Sequence, residues 1–154
     1  MLYIADVCGH NSGRSQMAMG IFNELKKLYR QVDENYEAIS WGTGIGTGIN
    51  PRIIEPMRAI GIDVTDASVY FPKDVKHPSI DKKLQNVIRV YTMGCMENTC
   101  ELPSGLTLTG DWDLEDPAKP ETDVYAIRNK IIGYTLELVV ELSHIPIEGR
   151  LANR

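Results

Sequence analysis

The chain has 154 residues, of which 43% are hydrophobic and 24% charged, and a formal net charge of −5. This length suits a single domain with its own core, and the acidic balance excludes a protein that holds nucleic acid or anionic membrane by a general positive field. No run approaches the roughly 20 apolar residues of a membrane span, and the start Met1-Leu-Tyr-Ile-Ala-Asp6 lacks a secretory signal, so the cytoplasm is the expected compartment.

Leu2 to Val7 is a short run of strand formers that meets a small polar loop before a helical pattern begins at Ser15. From Ser15 to Tyr29, Met17, Ala18, Ile21, Phe22, Leu25 and Leu28 recur at spacings of three and four, which predicts one buried helix face. Tyr36 to Trp41 reads as a second strand, followed by the glycine-rich run Gly42 to Gly48 and a helix opened by Pro51 and ending near Ile60. The segment from Asp63 to Asp74 is loop-rich, and Ser79 to Leu84 reads as a short helix. Asn86 to Met93 is a third strand and Leu106 to Gly110 a fourth. Asp123 to Leu142 closes the chain as a helix with Ile127, Ile131, Tyr134, Leu138 and Leu142 on one side.

Alternating strands and helices predict a doubly wound α/β domain over residues 1–146, with a mostly parallel four-stranded sheet and its ligand beyond the carboxyl ends of the strands. The tail 147–154 contains Ile147-Glu-Gly-Arg150, a protease-cleavage tetrapeptide of the kind appended to recombinant proteins, and is given no functional meaning.

The loop Cys8-Gly9-His10-Asn11-Ser12-Gly13-Arg14-Ser15 joins the first strand to the first helix and separates Cys8 from Arg14 by five residues. Such a loop can curl so that successive backbone N–H groups point inward, and the free N–H groups of the helix start add partial positive charge. A tetrahedral oxyanion fits that ring. Cys8 at its mouth is expected to ionise more readily than a free thiol, and the planar Arg14 guanidinium can bind two anion oxygens. Ser15 could donate its hydroxyl to the thiolate, Gly9 and Gly13 relieve crowding, Asn11 tolerates a left-handed backbone, and His10 reads as a loop residue rather than a base.

Three cysteines, Cys8, Cys95 and Cys100, are too few for a secreted disulfide framework and leave catalytic, redox or metal chemistry open. If the first and third strands are neighbours, Cys95 lies within reach of Cys8, and Cys100 is close enough in sequence to pair with Cys95. Zinc would need more ligands than this pair supplies, so no metal is expected. Gly42 to Gly48 lacks the glycine order of a dinucleotide loop, so no cofactor is expected and the run reads as a loop beside the site. Asp111, Asp113 and Glu115 read as solvated charges.

The segment Cys8 to Ala18 resembles the signature loop of the low-molecular-weight protein tyrosine phosphatase superfamily. His10-Asn11 and Arg14-Ser-Gln-Met-Ala18 are similar to the arsenate reductases that share that fold. The resemblance runs along most of the chain and implies sheet order 2-1-3-4. It implies that Asp116, before Pro117, is the general acid, within a Trp112 to Ala118 motif of arsenate-reductase type. Ala118-Lys-Pro120 stands where tyrosine phosphatases place the aromatic residues that enclose phosphotyrosine. The Cys95 and Cys100 pair resembles that of thioredoxin-coupled members, implying a Cys8, Cys95, Cys100 disulfide relay with a thioredoxin-like reductant as partner and arsenate or a phosphate-like oxyanion as ligand. Two departures stand out: Met19 replaces a Glu that helps bind potassium in many members, and Glu101 stands where a Pro often follows the second cysteine. The alternative is a phosphatase using Cys8, Arg14 and Asp116 alone, and a third reading is an anion-binding or redox-sensing protein without turnover.

Overall fold

Parallel pairing of the first strand with two non-consecutive neighbours fixes the architecture in this computed structural model, which describes residues 1–94 and 102–146. Strand β1 (Leu2–Cys8) pairs with β2 (Tyr36–Gly42) on one side and β3 (Val87–Thr92) on the other, and β3 continues to a two-residue β4 (Gly110–Asp111). The sheet order is β2-β1-β3-β4, as the family resemblance implied, and every pair is parallel. Cys95, Cys100 and the tail 147–154 lie outside the described residues.

Helix α1 (Arg14–Leu25) is shorter than its periodicity predicts. A 3-10 turn at Lys26–Leu28 and an extended Tyr29 end it, and α2 (Arg30–Asn35) restarts when the Val32 and Asp33 amides donate to the Tyr29 carbonyl. Lys26 Nζ, bonded to the Tyr36 carbonyl at 2.9 Å, ties this turn to the start of β2. Leu28, expected on the buried face, is therefore 63% exposed.

After β2, Asn50 caps a 3-10 turn at Pro51–Ile53 that leads into α3 (Ile54–Arg58). His77 caps α4 (Pro78–Asp81), and a 3-10 turn at Leu84–Asn86 precedes β3. The long α5 (Val124–Ser143) begins at Asp123, whose carboxylate accepts from the Tyr125 and Ala126 amides. The predicted fourth strand from Leu106 shrinks to β4. The Thr109 hydroxyl, rather than a carbonyl, accepts from the Val90 amide at 2.8 Å, which breaks the ladder before Gly110. On α5, Tyr134 is 40% exposed and Thr135 is buried in its stead, with Tyr134 stacked on Trp112.

Side chains on β1 alternate between two apolar layers. Ile4 and Cys8 face α1 and α5, where Met17, Ile21, Phe22, Ile127, Ile131 and Leu138 pack; Ala5 and Val7 face a thinner layer with Trp41, Ile80 and Val90. Among the described residues no helix is long and apolar enough to cross a membrane.

Asp6 interrupts the first of these layers. It is buried, neither carboxylate oxygen has a hydrogen-bond partner among the described residues, and burial pushes its carboxyl well above the ordinary range. The folded state therefore keeps a proton that the unfolded chain releases above about pH 4. Stability falls as pH rises through the window between the unfolded and folded values, by about 1.4 kcal/mol per pH unit. Asp6→Asn is neutral at every pH and should remove that slope. Urea unfolding of both proteins at pH 5 and pH 7 checks it, and a stability difference that does not grow with pH would contradict this account of Asp6.

Candidate active site

Cys8 is the last residue of β1, 3% exposed, and its Sγ lies 2.9 Å from the Ser15 hydroxyl in the first turn of α1. The intervening loop owes its shape to the glycine-rich segment after β2. The Thr43, Gly44, Gly46 and Asn50 amides donate to the carbonyls of Cys8, Gly9, His10 and Ser12. With those carbonyls engaged, the free N–H groups of the α1 start are left as backbone donors for an anion. Gly42 to Gly48 is thus the brace of the loop. At Gly42 a Cβ would fall 2.6 Å from the Gly44 carbonyl and 2.9 Å from the Asn11 nitrogen, so only glycine permits the close approach.

Asn11 sits at φ +55°, where the loop turns, and its side chain is fully buried. Its Oδ1 accepts from Gln16 Nε2 at 3.0 Å and from the Lys73 amide at 3.1 Å, while its Nδ2 donates to the Ser15 hydroxyl at 2.7 Å. Because Nδ2 supplies the proton in that last bond, the Ser15 hydroxyl is free to aim its own proton at Cys8 Sγ. Gly13 allows Pro117 to approach, since a Cβ there would lie 2.9 Å from the Pro117 ring; a Cβ at Gly9 meets nothing within 4 Å, so crowding does not require glycine at that position.

Arg14 bridges the loop to the neighbouring strand ends. Its Nη1 donates to the Met93 carbonyl at 2.8 Å and the Leu114 carbonyl at 2.9 Å. Asp116 follows on the Leu114 side, and its carboxylate accepts from the Ala118 amide at 2.9 Å. Cys8, His10, Ser12, Gly13, Arg14 and Asp116 all line one cavity of about 280 Å³, closed by Thr47, Asn50, Pro117 and Ala118. The structure thus brings together every predicted site residue of the first loop except Gly9, which does not line the cavity, and the buried Asn11 and Ser15, which support it from behind. It adds Asp116 from a segment about one hundred positions away. Cys95 and Cys100 lie outside the described residues, beyond Gly94, where a Cβ would fall 2.6 Å from the Leu114 carbonyl and 3.1 Å from Arg14 Nη1.

Two supports were not legible in the sequence. Arg52 donates to the carbonyls of Pro117, Lys119 and Thr122 at 2.6 Å each, clamping the segment that carries Asp116. Its only sequence signal was a charge just after Pro51. Asp111, read as a solvated charge, instead accepts from the Thr92 hydroxyl at 2.6 Å and the Gly94 amide at 2.8 Å, fixing the end of β3 beside Arg14. Asp113 and Glu115 are exposed, as expected for solvated charges. Among the described residues no group of three His, Cys, Asp or Glu side chains could hold a metal ion.

No protein-family model matches the sequence. Among solved structures, one described as an arsenate reductase in the phosphate binding state superposes with a TM-score of 0.72 at 24% identity, covering 92% of this chain and 99% of its own. A low-molecular-weight protein tyrosine phosphatase from T. tengcongensis gives 0.66 at 22% identity over 92% and 99%. The sheet order, the loop between β1 and α1 and these superpositions define the low-molecular-weight phosphatase fold. A thioredoxin-dependent arsenate reductase of Corynebacterium glutamicum gives 0.68 at 26% identity, covering 92% of this chain and 62% of that one. An arsenate reductase homologue of Halobacterium salinarum is 31% identical over 138 residues, 89% of this chain and 90% of the relative. The chain is an enzyme of the arsenate reductase family.

The Arg52 clamp makes a prediction. Hydrogen bonds from a charged donor contribute more than neutral ones, so Arg52→Ala should destabilise the protein by about 2 kcal/mol or more. Amide hydrogen exchange should quicken selectively across residues 116–122 while the β1 amides keep their protection. Unchanged exchange in that segment would show that Arg52 does not hold it.

Proposed function

We propose that this enzyme reduces arsenate to arsenite through a covalent adduct on Cys8. The observation that carries the reading is the cavity that Cys8, Arg14 and Asp116 line together beside the start of α1. Cys8, as thiolate, attacks the arsenic of an arsenate held by the loop amides and Arg14. The departing oxygen takes a proton from Asp116 and leaves as water, so one S–As bond forms and one As–O bond breaks. The thiolate of Cys95 then attacks Cys8 Sγ. The S–As bond breaks, its electron pair stays on arsenic, and As(V) becomes As(III), released as arsenite.

The Cys8 to Cys95 disulfide left behind is attacked by Cys100, which frees Cys8 and leaves a Cys95 to Cys100 disulfide. A thioredoxin-like dithiol reduces that bond and completes the two-electron balance. Reach supports the first exchange: β1 and β3 are neighbours, the Met93 amide donates to the Val7 carbonyl at 3.0 Å, and Cys95 follows two residues later. The cytoplasm, with its reducing dithiols, suits such a cycle.

The cavity lining also favours this reading over a tyrosine phosphatase. Among the described residues no aromatic side chain borders it, and Ala118 stands beside Pro117 at its rim. Among the described residues a phosphotyrosine ring would find no aromatic wall.

Cys8→Ser should abolish arsenite production, and Asp116→Asn should slow adduct formation by roughly 10²- to 10⁴-fold with little change in anion affinity. Single-turnover assays with reduced protein and arsenate, counting arsenite formed and thiols lost per chain, measure both. In Cys100→Ser one turnover should remain and trap a Cys8 to Cys95 disulfide, detectable by peptide mass mapping. Full multiple-turnover activity in both Cys95→Ser and Cys100→Ser would reject the relay, and phosphate ester hydrolysis without arsenite formation would establish the phosphatase instead.

A further inference from the structure

Lys73 belongs to the loop-rich stretch before α4, yet it is only 5% exposed. A buried ammonium is costly unless it is met by acceptors. Here Nζ lies 3.0 Å from the Phe71 carbonyl, 3.5 Å from Asn11 Oδ1 and 3.5 Å from the Ser40 hydroxyl, and 4.5 Å from the Phe71 ring centroid. No carboxylate forms an ion pair with it among the described residues.

Its acceptors all lie behind the Cys8 loop. Phe71 O also receives Gln16 Nε2 at 2.9 Å, and that same amide group donates to the carbonyl and Oδ1 of Asn11. The main chain of Lys73 joins in: its amide donates to Asn11 Oδ1, and its carbonyl accepts from Gly42 at 2.8 Å. From Asn11 the path runs to Ser15 at 2.7 Å and from Ser15 to Cys8 Sγ at 2.9 Å.

We infer that the Lys73 ammonium is a positioning group for the nucleophile, a tethered cation that polarises Asn11 and, through Asn11 and Ser15, favours the ionised form of Cys8. The charge works in one direction along this path. A cation at Oδ1 draws electron density toward the amide oxygen, which makes Nδ2–H a stronger donor to the Ser15 oxygen. Ser15 in turn becomes a stronger donor to sulfur, and a hydrogen bond to the charged form favours that form. Asn11 is held with Oδ1 toward Lys73 and Nδ2 toward Ser15, because a reversed amide would set its NH₂ against three donors.

Burial, with a smaller contribution from Lys83, lowers the Lys73 ammonium to about 8, so it remains mostly charged at neutral pH. Glu37, His77 and Lys83 are the other charged or titratable groups lining the groove that Lys73 shares, and Asp6 lies beside Ser40 in the β1 and β2 register.

The inference rests on Cys8 being the nucleophile, so its test reads the thiol rather than turnover. Full-length reduced protein is alkylated with iodoacetamide and Cys8 is scored apart from Cys95 and Cys100 by peptide mass mapping. Lys73→Gln keeps a long polar side chain without the charge, Lys73→Met fills the same space without polarity, and Lys73→Arg restores a cation. Reactivity of a thiol follows its thiolate fraction, which changes about tenfold per pKa unit.

In Lys73→Gln and Lys73→Met, Cys8 alkylation at pH 7 should fall about tenfold and match wild type at pH 10, where the thiol is ionised and the lysine neutral. Lys73→Arg should recover most of the rate at pH 7. Wild-type alkylation at pH 7 in Lys73→Gln, in protein with native circular dichroism, overturns the inference whatever Lys73→Met does. An equal slowing at pH 7 and pH 10 also overturns it, since that marks a packing defect. If the nucleophile assignment itself were wrong, Cys8→Ser would still yield arsenite, a result independent of the alkylation comparison.

Discussion

The Asn11 side chain is the constraint on which the rest of the site depends. A left-handed backbone at Asn11 turns the loop after β1, and the amide that results is buried among donors from two directions and one acceptor. A buried amide left unpaired costs about as much as a lost hydrogen bond or more, so the partners have little freedom to move away. Gln16, Lys73 and Ser15 are held in this way, and with them the start of α1, the segment before α4 and the thiol of Cys8. Asparagine suits the position because it tolerates the positive φ and offers both an acceptor and a donor group.

Around that node, the sheet supplies distance and direction. Strand β1 lies between β2 and β3, so the loops leaving all three strands meet at one edge. The loop after β2 braces the Cys8 loop through its carbonyls, the end of β3 receives Arg14, and Asp111 ties that end to β4. Asp116 arrives on the next segment, clamped by Arg52 from the turn before α3. Arg14 and Asp116, which line the cavity, are thus held by neighbours from different crossovers. Such a site is lost if any one strand slips its register, and the apolar layers on both faces of β1 oppose that slip.

Two buried ionisable groups stand out, Asp6 on β1 and Lys73 behind the Cys8 loop. Asp6 is driven to its neutral form by burial alone, whereas Lys73 has carbonyl, hydroxyl and ring partners that lessen the cost of its charge. Removing an ionisable group from water favours the uncharged form of either sign. Partners decide how far, and the difference between these two residues lies in what surrounds them.

The sequence by itself determined the elements with strong periodicity and the chemistry packed into contiguous residues. The Cys8 to Arg14 loop was legible because a cysteine, an arginine and a helix start occupy one short contiguous segment, and the parallel sheet because strands and helices alternate. Tertiary structure alone decided where α1 stops, since Lys26 is drawn to the start of β2, and why Leu106 to Thr109 fails as a strand, since a Thr109 hydroxyl replaces the ladder acceptor. It also assigned Arg52, Asp111 and Lys73 to the site. Most of their partners are distant in the chain, and what gives each its role is a carbonyl, amide or side-chain oxygen brought near by folding. A polar residue in a loop carries no periodicity to mark it, so its role exists only once burial removes water and leaves those partners as its acceptors and donors.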